Sequence, residues 1–181
     1  MKPILILAAC ALTLAGCSQQ APAAGKAKFN TDLPMTEFMD HVVDPAAFAY
    51  WHGSGTEITA KGERDLSPTT PEGWTALKNG AAVLIEAGNA LQLPGRPRAP
   101  QADWNRYAQL LTTRAIAAKA AAEKKDKQGV FDEGGRVYEI CTACHKQYVI
   151  DPMLAEQAKT GPPESKPLPE WPSSDHRPSK P

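Results

Sequence analysis

The chain has 181 residues, and its 20 basic and 20 acidic residues give a formal net charge of zero. This length suits one domain with tails. With neither a basic surplus nor an acidic block, the composition predicts no nucleic-acid binding and no strong long-range electrostatic steering of partners. A local charged patch remains compatible with this total.

Residues 1–16 have the composition of an export signal. A single lysine precedes an apolar run from Ile4 to Leu14, and small residues follow. The run is too short to span a bilayer as a mature helix and is typical of a secretory signal peptide. Its end, "LAGC", resembles the lipobox of bacterial lipoproteins, which implies cleavage before Cys17 and a lipid on that cysteine. The alternative is an ordinary signal that ends near a cysteine.

The segment after the signal connects this anchor to the body of the protein. Residues 17–30 are small and polar and show no periodicity, so they predict a flexible tether. A lipid on Cys17 would hold the protein on a membrane of the bacterial cell envelope, facing the periplasm.

The body of the protein, residues 31–150, is predicted to be helical. Its first helix covers residues 34–51, and Asp44-Pro45 is expected to end or kink it, because proline disfavours helix at the preceding residue. Residues 52–69 are rich in glycine and predict a long loop. No segment alternates with period two, so no sheet is expected. The apolar side of the first helix consists of Phe38, Met39, Val42 and Val43.

Capping residues and apolar stripes predict three further helices. Thr70 and Pro71 suit the N-cap and the first position of the second helix. The third helix opens near Asp103, and the fourth runs from about Phe131 to Tyr148. Within each stripe the residues are three or four positions apart. The stripes are Trp74, Leu77, Ala81, Leu84, Gly88 and Leu91; Trp104, Ala108, Leu111, Ala115, Ala118 and Ala122; and Gly134, Val137, Cys141, Cys144 and Tyr148.

Four amphipathic helices with short connections predict an all-α fold, an antiparallel four-helix bundle. The inner stripes are rich in alanine and glycine, and close-packed interiors do not keep large voids, so a flat apolar group is expected to fill the space. Trp51, Trp74 and Trp104 are mainly core candidates. The C-terminal residues 151–181 are predicted as a proline-rich tail, and its residues 161–181 are expected to be extended or disordered.

The fourth predicted helix carries the motif "CTACH". Cys10 belongs to the signal and Cys17 is the lipidation candidate, so Cys141 and Cys144 are the cysteines that remain in the mature body. A disulfide across so short a gap would add little stability, because the loop-closure effect grows with loop length. On a helix both thiols share a face with His145. They can form thioethers to the two vinyl groups of one haem while the histidine binds the iron, which is the pattern of c-type attachment.

Two other interpretations of the cysteine pair are weaker. A redox dithiol of the thioredoxin type belongs in a β-α-β context, which the sequence pattern lacks. A structural zinc site needs four ligands, usually from two pairs of residues. The chain has no second cysteine pair in its body, and its other histidines are His41, His52 and His176.

The position of the motif resembles the class II c-type cytochromes, which comprise cytochrome c-prime and its low-spin relatives. "YEICTACHKQY" is similar to their C-terminal motif, with Tyr148 three residues after the histidine, and "FMDHVVDPAAFAYW" is similar to the first-helix signature of a lipoprotein-like branch. The resemblance covers roughly residues 31–150 and implies a four-helix cytochrome domain with one covalent haem on its C-terminal helix. Cytochromes c-prime usually have an arginine where this chain has Val149, which disfavours an iron open to small gases.

The resemblance also implies that the first helix crosses the haem face opposite His145. Met35 and Met39 are four residues apart and share a face of that helix. A thioether there would bind iron, and a His/Met pair raises the reduction potential. Met39 is the predicted distal ligand because Met35 follows Pro34 in the first turn, where helix ends fray. The runners-up are Met35 and then His41, and the alternative is that both methionines only fill the core.

The predicted function is that of a membrane-tethered electron carrier and not an enzyme, because a six-coordinate haem has no open site for a substrate. Its expected partners are redox proteins, and since related bundles often dimerise through their first two helices, a homodimer is a further expectation. The alternative is a five-coordinate, c-prime-like protein that binds nitric oxide or carbon monoxide. A peroxidase would need a distal acid–base residue, for which His41 and His52 are the weak candidates.

Overall fold

The computed structural model describes residues 28–161, and this part of the chain is mostly helical, which confirms the all-α prediction at that level. The predicted signal peptide, the lipidation candidate Cys17 and most of the tether lie outside the described residues, as does the chain from residue 162 onward. None of the helices between residues 28 and 161 has the length and apolar character needed to cross a membrane.

Three helical segments follow one another without interruption and form the first stretch, residues 35–51. They are α1 (Met35–Phe38), a π-helical turn (Met39–Val43) and α2 (Asp44–Trp51). The helix does not end at Asp44-Pro45, so that part of the expectation is wrong, and the kink stays a prediction. Proline lacks an N–H donor and its ring conflicts with the carbonyl four residues earlier. The wider turn, in which Asp44 N donates to Met39 O, comes directly before Pro45 and accommodates it. The chain therefore changes its hydrogen bonding and remains helical.

Residues 52–69 do not form the uninterrupted loop that their glycines suggest. β1 (Thr56–Thr59) and β2 (Gly62–Asp65) pair as an antiparallel hairpin, so the expectation of no sheet is wrong. Every strand residue is exposed, and neither face requires the alternating apolar residues by which strands are recognised. A salt bridge of 2.6 Å between Lys127 Nζ and Asp65 Oδ2 ties the hairpin to the start of the last helical stretch.

Helices α3 (Pro71–Ala90) and α4 (Gln101–Glu123) form where the stripes predict them. Thr70 is the N-cap of α3, and its Oγ1 accepts a hydrogen bond of 3.2 Å from Gly73 N. α4 begins slightly before the predicted start near Asp103. Every residue of the two predicted stripes is buried, including the core candidates Trp74 and Trp104.

Two glycines on α3 allow neighbouring helices to approach closely. A Cβ at Gly80 would lie 2.6 Å from the carbonyl oxygen of Ala46, and a Cβ at Gly88 would lie 2.7 Å from that of Ala108. Side chains do not tolerate such distances, so these backbone contacts require glycine. These two glycines, of which Gly88 belongs to the predicted α3 stripe, therefore bring helices together and do not leave the space that the sequence suggested.

The last stretch, residues 127–160, is longer than the predicted fourth helix at both ends. It consists of α5 (Lys127–His145), a second π-helical turn (Lys146–Ile150) and α6 (Asp151–Thr160). Asp126 caps its start through its side chain, so the predicted boundaries at Phe131 and Tyr148 are wrong. As in the first stretch, a π-helical turn precedes an Asp-Pro pair and the helix continues. Residues 151–160, assigned from the sequence to the proline-rich tail, are helical and exposed.

Helices α3 and α4 run in opposite directions, and so do α4 and α5. The end of α3 meets the start of α4, where Trp104 Nε1 donates a hydrogen bond of 2.7 Å to Leu91 O. The start of α4 meets the residues after α5, where Gln147 Nε2 donates one of 3.1 Å to Asp103 Oδ2. The contacts of α2 with α3, α3 with α4, α4 with α5 and α2 with α5 close into a ring.

The buried side chains form two clusters, and no charged or polar residue is buried among those described. We call the first cluster the closed end; it consists of Tyr50, Trp74, Leu77, Ala81, Ala118, Ala121, Ala122 and Val130. We call the second the cavity end; its larger members are Phe38, Val43, Leu84, Leu91, Trp104, Leu111, Val137 and Tyr148. The partly buried Met39, Cys141 and Cys144 pack against the cavity end.

Candidate functional site

A cavity of about 360 Å³ lies at the cavity end, between the first stretch, α4 and α5. Its lining is mainly apolar and aromatic. A smaller cavity of about 240 Å³ adjoins it, since both are lined by Met39, Trp104, Cys144 and His145. Apolar cavities of this size, with a few convergent polar groups, commonly hold organic ligands and cofactors.

The three motif residues meet at the wall of the larger cavity. Cys141, Cys144 and His145 all line it, because residues three and four apart lie side by side on α5. Both cysteines are free and partly buried, whereas His145 is exposed. The motif therefore borders an open space and is neither enclosed in packed core nor displayed on a flat surface.

The surroundings of the two cysteines keep their thiols protonated. Burial raises the pKa of Cys141 to about 11, and the neighbouring Cys144 and Asp44 contribute in the same direction. Burial also raises the pKa of Cys144, although the positive charge of Arg98 acts against it. A redox-active dithiol needs a lowered thiol pKa, because the thiolate is the nucleophile. These thiols are therefore poorly suited to the dithiol interpretation.

Met39 reaches the motif from the first stretch. It opens the π-helical turn and lines both cavities together with His145. Met35 lines the smaller cavity alone, and His41 is exposed and lines neither of the two. The access of these three side chains to the cavities thus follows the order in which they were predicted as distal ligands. Their assignment as iron ligands stays a prediction.

Aromatic side chains from α4 and the last stretch close one side of the site. The rings of Trp104 and Tyr148 meet edge to face with their centroids 5.0 Å apart, and Tyr107 approaches Tyr148 in the same way. Tyr148 Oη donates a hydrogen bond of 2.6 Å to Pro100 O, and Trp104 Nε1 donates to Leu91 O. The buried polar atoms of both rings are thus satisfied, and the two bonds hold the α3–α4 connection beside the cavity.

A second aromatic group, formed by Phe48, Trp51 and Tyr138, lines the larger cavity. Trp51 meets each of the other two edge to face, with ring centroids 5.8 Å apart in both pairs. Its Nε1 donates a hydrogen bond of 3.0 Å to Gly134 O. Trp51, predicted as core, is therefore a half-buried wall residue whose orientation is held by α5.

Arg98, Asp40 and Asp44 are site residues that the sequence reasoning missed. Arg98 and Asp40 line the smaller cavity, and Asp44 lines the larger one. Arg98 belongs to a connection without helical periodicity, and the sequence identifies Asp44 only as the residue before Pro45. No local signal could have found them, because the cavity gathers residues from segments that are far apart in the chain.

The described residues provide no ligand set for a metal ion held by protein side chains alone. Between residues 28 and 161, no group of three or more His, Cys, Asp or Glu side chains is placed to hold a metal ion. A structural zinc site would need four such ligands. His41 and His52, the candidates for a peroxidase acid–base residue, line neither of the two cavities at the motif.

We compared the chain with protein-family models, with curated proteins and with solved structures, and none of the three comparisons gave a match. The function of the protein is therefore inferred from the motif, the cavity that it borders and the residues that complete the cavity wall.

Proposed function

We propose that this protein is a c-type cytochrome that carries one covalently bound haem and transfers single electrons. One observation carries the proposal: Cys141, Cys144 and His145, in the order of a c-type attachment motif, border an apolar cavity. The same motif in a packed core would leave no room for a porphyrin, and on a flat surface it would leave the ring in water.

The residues at the cavity fit haem. Its apolar and aromatic lining suits a porphyrin, and two thiols and an imidazole border it. Cys141 and Cys144 would hold the group through thioether bonds, and His145 would be the proximal iron ligand. Bound haem supplies a one-electron couple between ferric and ferrous iron. The axial residues, the burial and the charges of this chain would set the potential of that couple.

The ring of helix contacts supports a finer description of the fold. The first stretch packs on α3, α3 on α4, α4 on α5, and α2 returns to α5; α3 and α4 are antiparallel, as are α4 and α5. We propose that this arrangement is an antiparallel four-helix bundle with the haem on its C-terminal helix. This is the fold implied by the resemblance to class II c-type cytochromes.

Met39 favours electron transfer over gas binding, because it lines both cavities together with His145. A thioether as distal ligand would leave the iron without an open position, and it would raise the reduction potential. The alternative, a c-prime-like protein that binds nitric oxide or carbon monoxide, requires that no side chain takes that position.

Absorption spectra of the purified protein test both functions. Wild-type protein made in cells competent for c-type maturation should show a reduced haem spectrum that carbon monoxide does not change. The ferric form should show the weak methionine-to-iron charge-transfer band near the red edge of the visible range. Met39→Ala should lose that band, bind carbon monoxide and have a lower potential, whereas Met153→Ala, an exposed control on α6, should change none of these. A high-spin wild type that binds carbon monoxide readily would assign the gas-binding function.

We also propose that a lipid on Cys17 anchors the protein to a membrane of the bacterial cell envelope, on the periplasmic side, where redox proteins would be its partners. Cys17→Ser should move the protein from the membrane fraction to the soluble fraction while its haem stays attached. A variant that still fractionates with membranes after a high-salt wash would show that something other than this lipid holds it there.

A homodimer through the first two helices is supported by an apolar groove on the outside of the first stretch and α3. Phe38, Val42 and Val83 line it, and Val83 is 40% exposed. Val83→Glu should convert a dimer to a monomer in sedimentation experiments, because it buries a charge in the interface. An unchanged sedimentation coefficient would exclude this face.

A further inference from the structure

Arg98 contributes positive charge to the candidate site. It lies in the connection between α3 and α4, residues 91–100, and lines the smaller cavity beside Cys144 and His145. Among the described residues that line the two cavities, no other is a lysine or arginine. The acidic residues at the same walls are Asp40 and Asp44.

The backbone around Arg98 is held in place from three directions. Trp104 Nε1 donates to Leu91 O and Tyr148 Oη donates to Pro100 O, with bonds of 2.7 and 2.6 Å. The guanidinium of Arg96 lies over the ring of Phe38, 4.3 Å from its centroid. The connection is thus attached to α4, to the last stretch and to α1, so that Arg98 is presented at a defined place.

The guanidinium of Arg98 has spare hydrogen-bonding capacity. Its one hydrogen bond within residues 28–161 is a long one of 3.5 Å from Nη1 to Tyr148 O. No carboxylate of the described residues forms a salt bridge with it, whereas six other basic side chains of α4, α5 and their neighbours do have such partners. A guanidinium carries five N–H donors. Most of the donors of Arg98 are therefore free to bind an anion at the cavity.

We propose that Arg98 binds a propionate group of the haem and thereby raises its reduction potential, an inference that rests on the proposed function. A porphyrin of this type carries two carboxylates, and arginine pairs with carboxylates through two parallel hydrogen bonds. A positive charge next to the haem disfavours the ferric state, which has one more positive charge than the ferrous state. Neutralising the propionate with Arg98 therefore favours reduction.

The experiment measures the reduction potential of purified holoprotein by spectroelectrochemical titration in Arg98→Gln, Arg98→Lys and Arg136→Gln. Arg136 is an exposed arginine of α5 that pairs with Glu133 and lines neither cavity, so its variant controls for total charge. Arg98→Gln should lower the potential, Arg98→Lys should retain most of the wild-type value, and Arg136→Gln should leave it unchanged.

Salt distinguishes direct pairing from a distant charge effect. At about 1 M salt the screening length falls to roughly 3 Å, which removes interactions across solvent but only weakens a contact pair. The difference between wild type and Arg98→Gln should persist at that salt concentration. If it disappears, Arg98 acts at a distance and the proposed contact is wrong.

Other outcomes separate the two proposals. An Arg98→Gln protein that has lower thermal stability but an unchanged potential would show that Arg98 only supports Tyr148, which overturns the inference and leaves the proposed function intact. If Arg98→Gln does not fold, Arg98→Met takes its place because it also removes the charge: a lowered potential supports the contact, and an unchanged one overturns it. Wild-type protein without covalent haem would overturn the proposed function itself.

Discussion

The closed end and the cavity end use the same small side chains with opposite results. At the closed end, Ala81 and Ala118 are completely buried, and Tyr50 Oη donates a hydrogen bond of 2.9 Å to Ala118 O across the helices. At the cavity end, Ala47 and Ala108 are each only 2% exposed, yet they line a cavity of about 360 Å³. The same small residue is therefore enclosed at one end and borders open space at the other.

This difference assigns a separate role to each end. The closed end is filled by its own side chains, so its contribution to stability should not depend on a bound group. The cavity end borders Cys141, Cys144 and His145, so its packing should be completed only when haem is attached. Substitutions at matched positions of the two ends test this division.

The largest expected effect is the loss of the proposed haem. Replacing both Cys141 and Cys144 with alanine should abolish covalent haem completely and lower the thermal stability, because the cavity is left empty. Haem staining of a denaturing gel and thermal unfolding measure the two effects. Cys17→Ser, as a control for cysteine removal, should keep its stain. A double variant that still stains would locate the attachment elsewhere.

The second-largest effect is expected when leucines of the two ends are truncated to alanine. Leu77 at the closed end is 1% exposed, and Leu77→Ala should lower the free energy of unfolding by about 2–5 kcal/mol. Leu91 lines the cavity and already lacks packing on one side, so Leu91→Ala should cost less in the haem-free double cysteine variant. Ile116→Ala, at a position 53% exposed, is the control and should change little. Chemical denaturation measures the free energy of unfolding of all three variants. If Leu77→Ala and Leu91→Ala lose equal stability, the proposed difference between the closed end and the cavity end is wrong.

Filling the two ends should have opposite consequences. Ala118→Leu overpacks the closed end and should cost about 1–3 kcal/mol with or without haem. Ala108→Leu should cost little in haem-free protein, because the new side chain can enter the cavity, but it should reduce the yield of protein with attached haem. Denaturation and the ratio of haem absorbance to protein measure this pair. A similar loss of stability at both sites would show that the cavity is not available space.

The smallest effect concerns two tyrosine hydroxyls. Tyr50→Phe removes the bond to Ala118 O and should cost about 1 kcal/mol without changing the haem spectrum. Burial raises the pKa of Tyr50, so its hydroxyl stays protonated and this loss should be the same at neutral and mildly alkaline pH. Tyr148→Phe should cost a similar amount but should also shift the reduction potential, because it frees Pro100 beside Arg98. An equal effect of both variants on the potential would contradict the separation of the two ends.

The parts of the fold that follow from neighbouring residues could be predicted. The cap at Thr70 and the stripes of α3 and α4 depend on positions within a few turns, and the structure buries every stripe residue. The hairpin of residues 56–65 was missed because its strands are exposed and lack an alternating pattern. The continuation of the helix through both Asp-Pro pairs was missed because a π-helical turn can accept a proline that an α-helical turn rejects.

The sequence alone determined which residues lie together on one helix. Cys141, Cys144 and His145 share a face of α5 because the α-helical repeat places residues three and four apart side by side. Only the tertiary structure decided what that face meets. Met39 and Arg98 come to the same cavities from segments far away in the chain, since helical periodicity selects the inward side of each helix but not its neighbour or the distance to it. That distance depends on packing, through glycines that allow close approach and large side chains that hold helices apart.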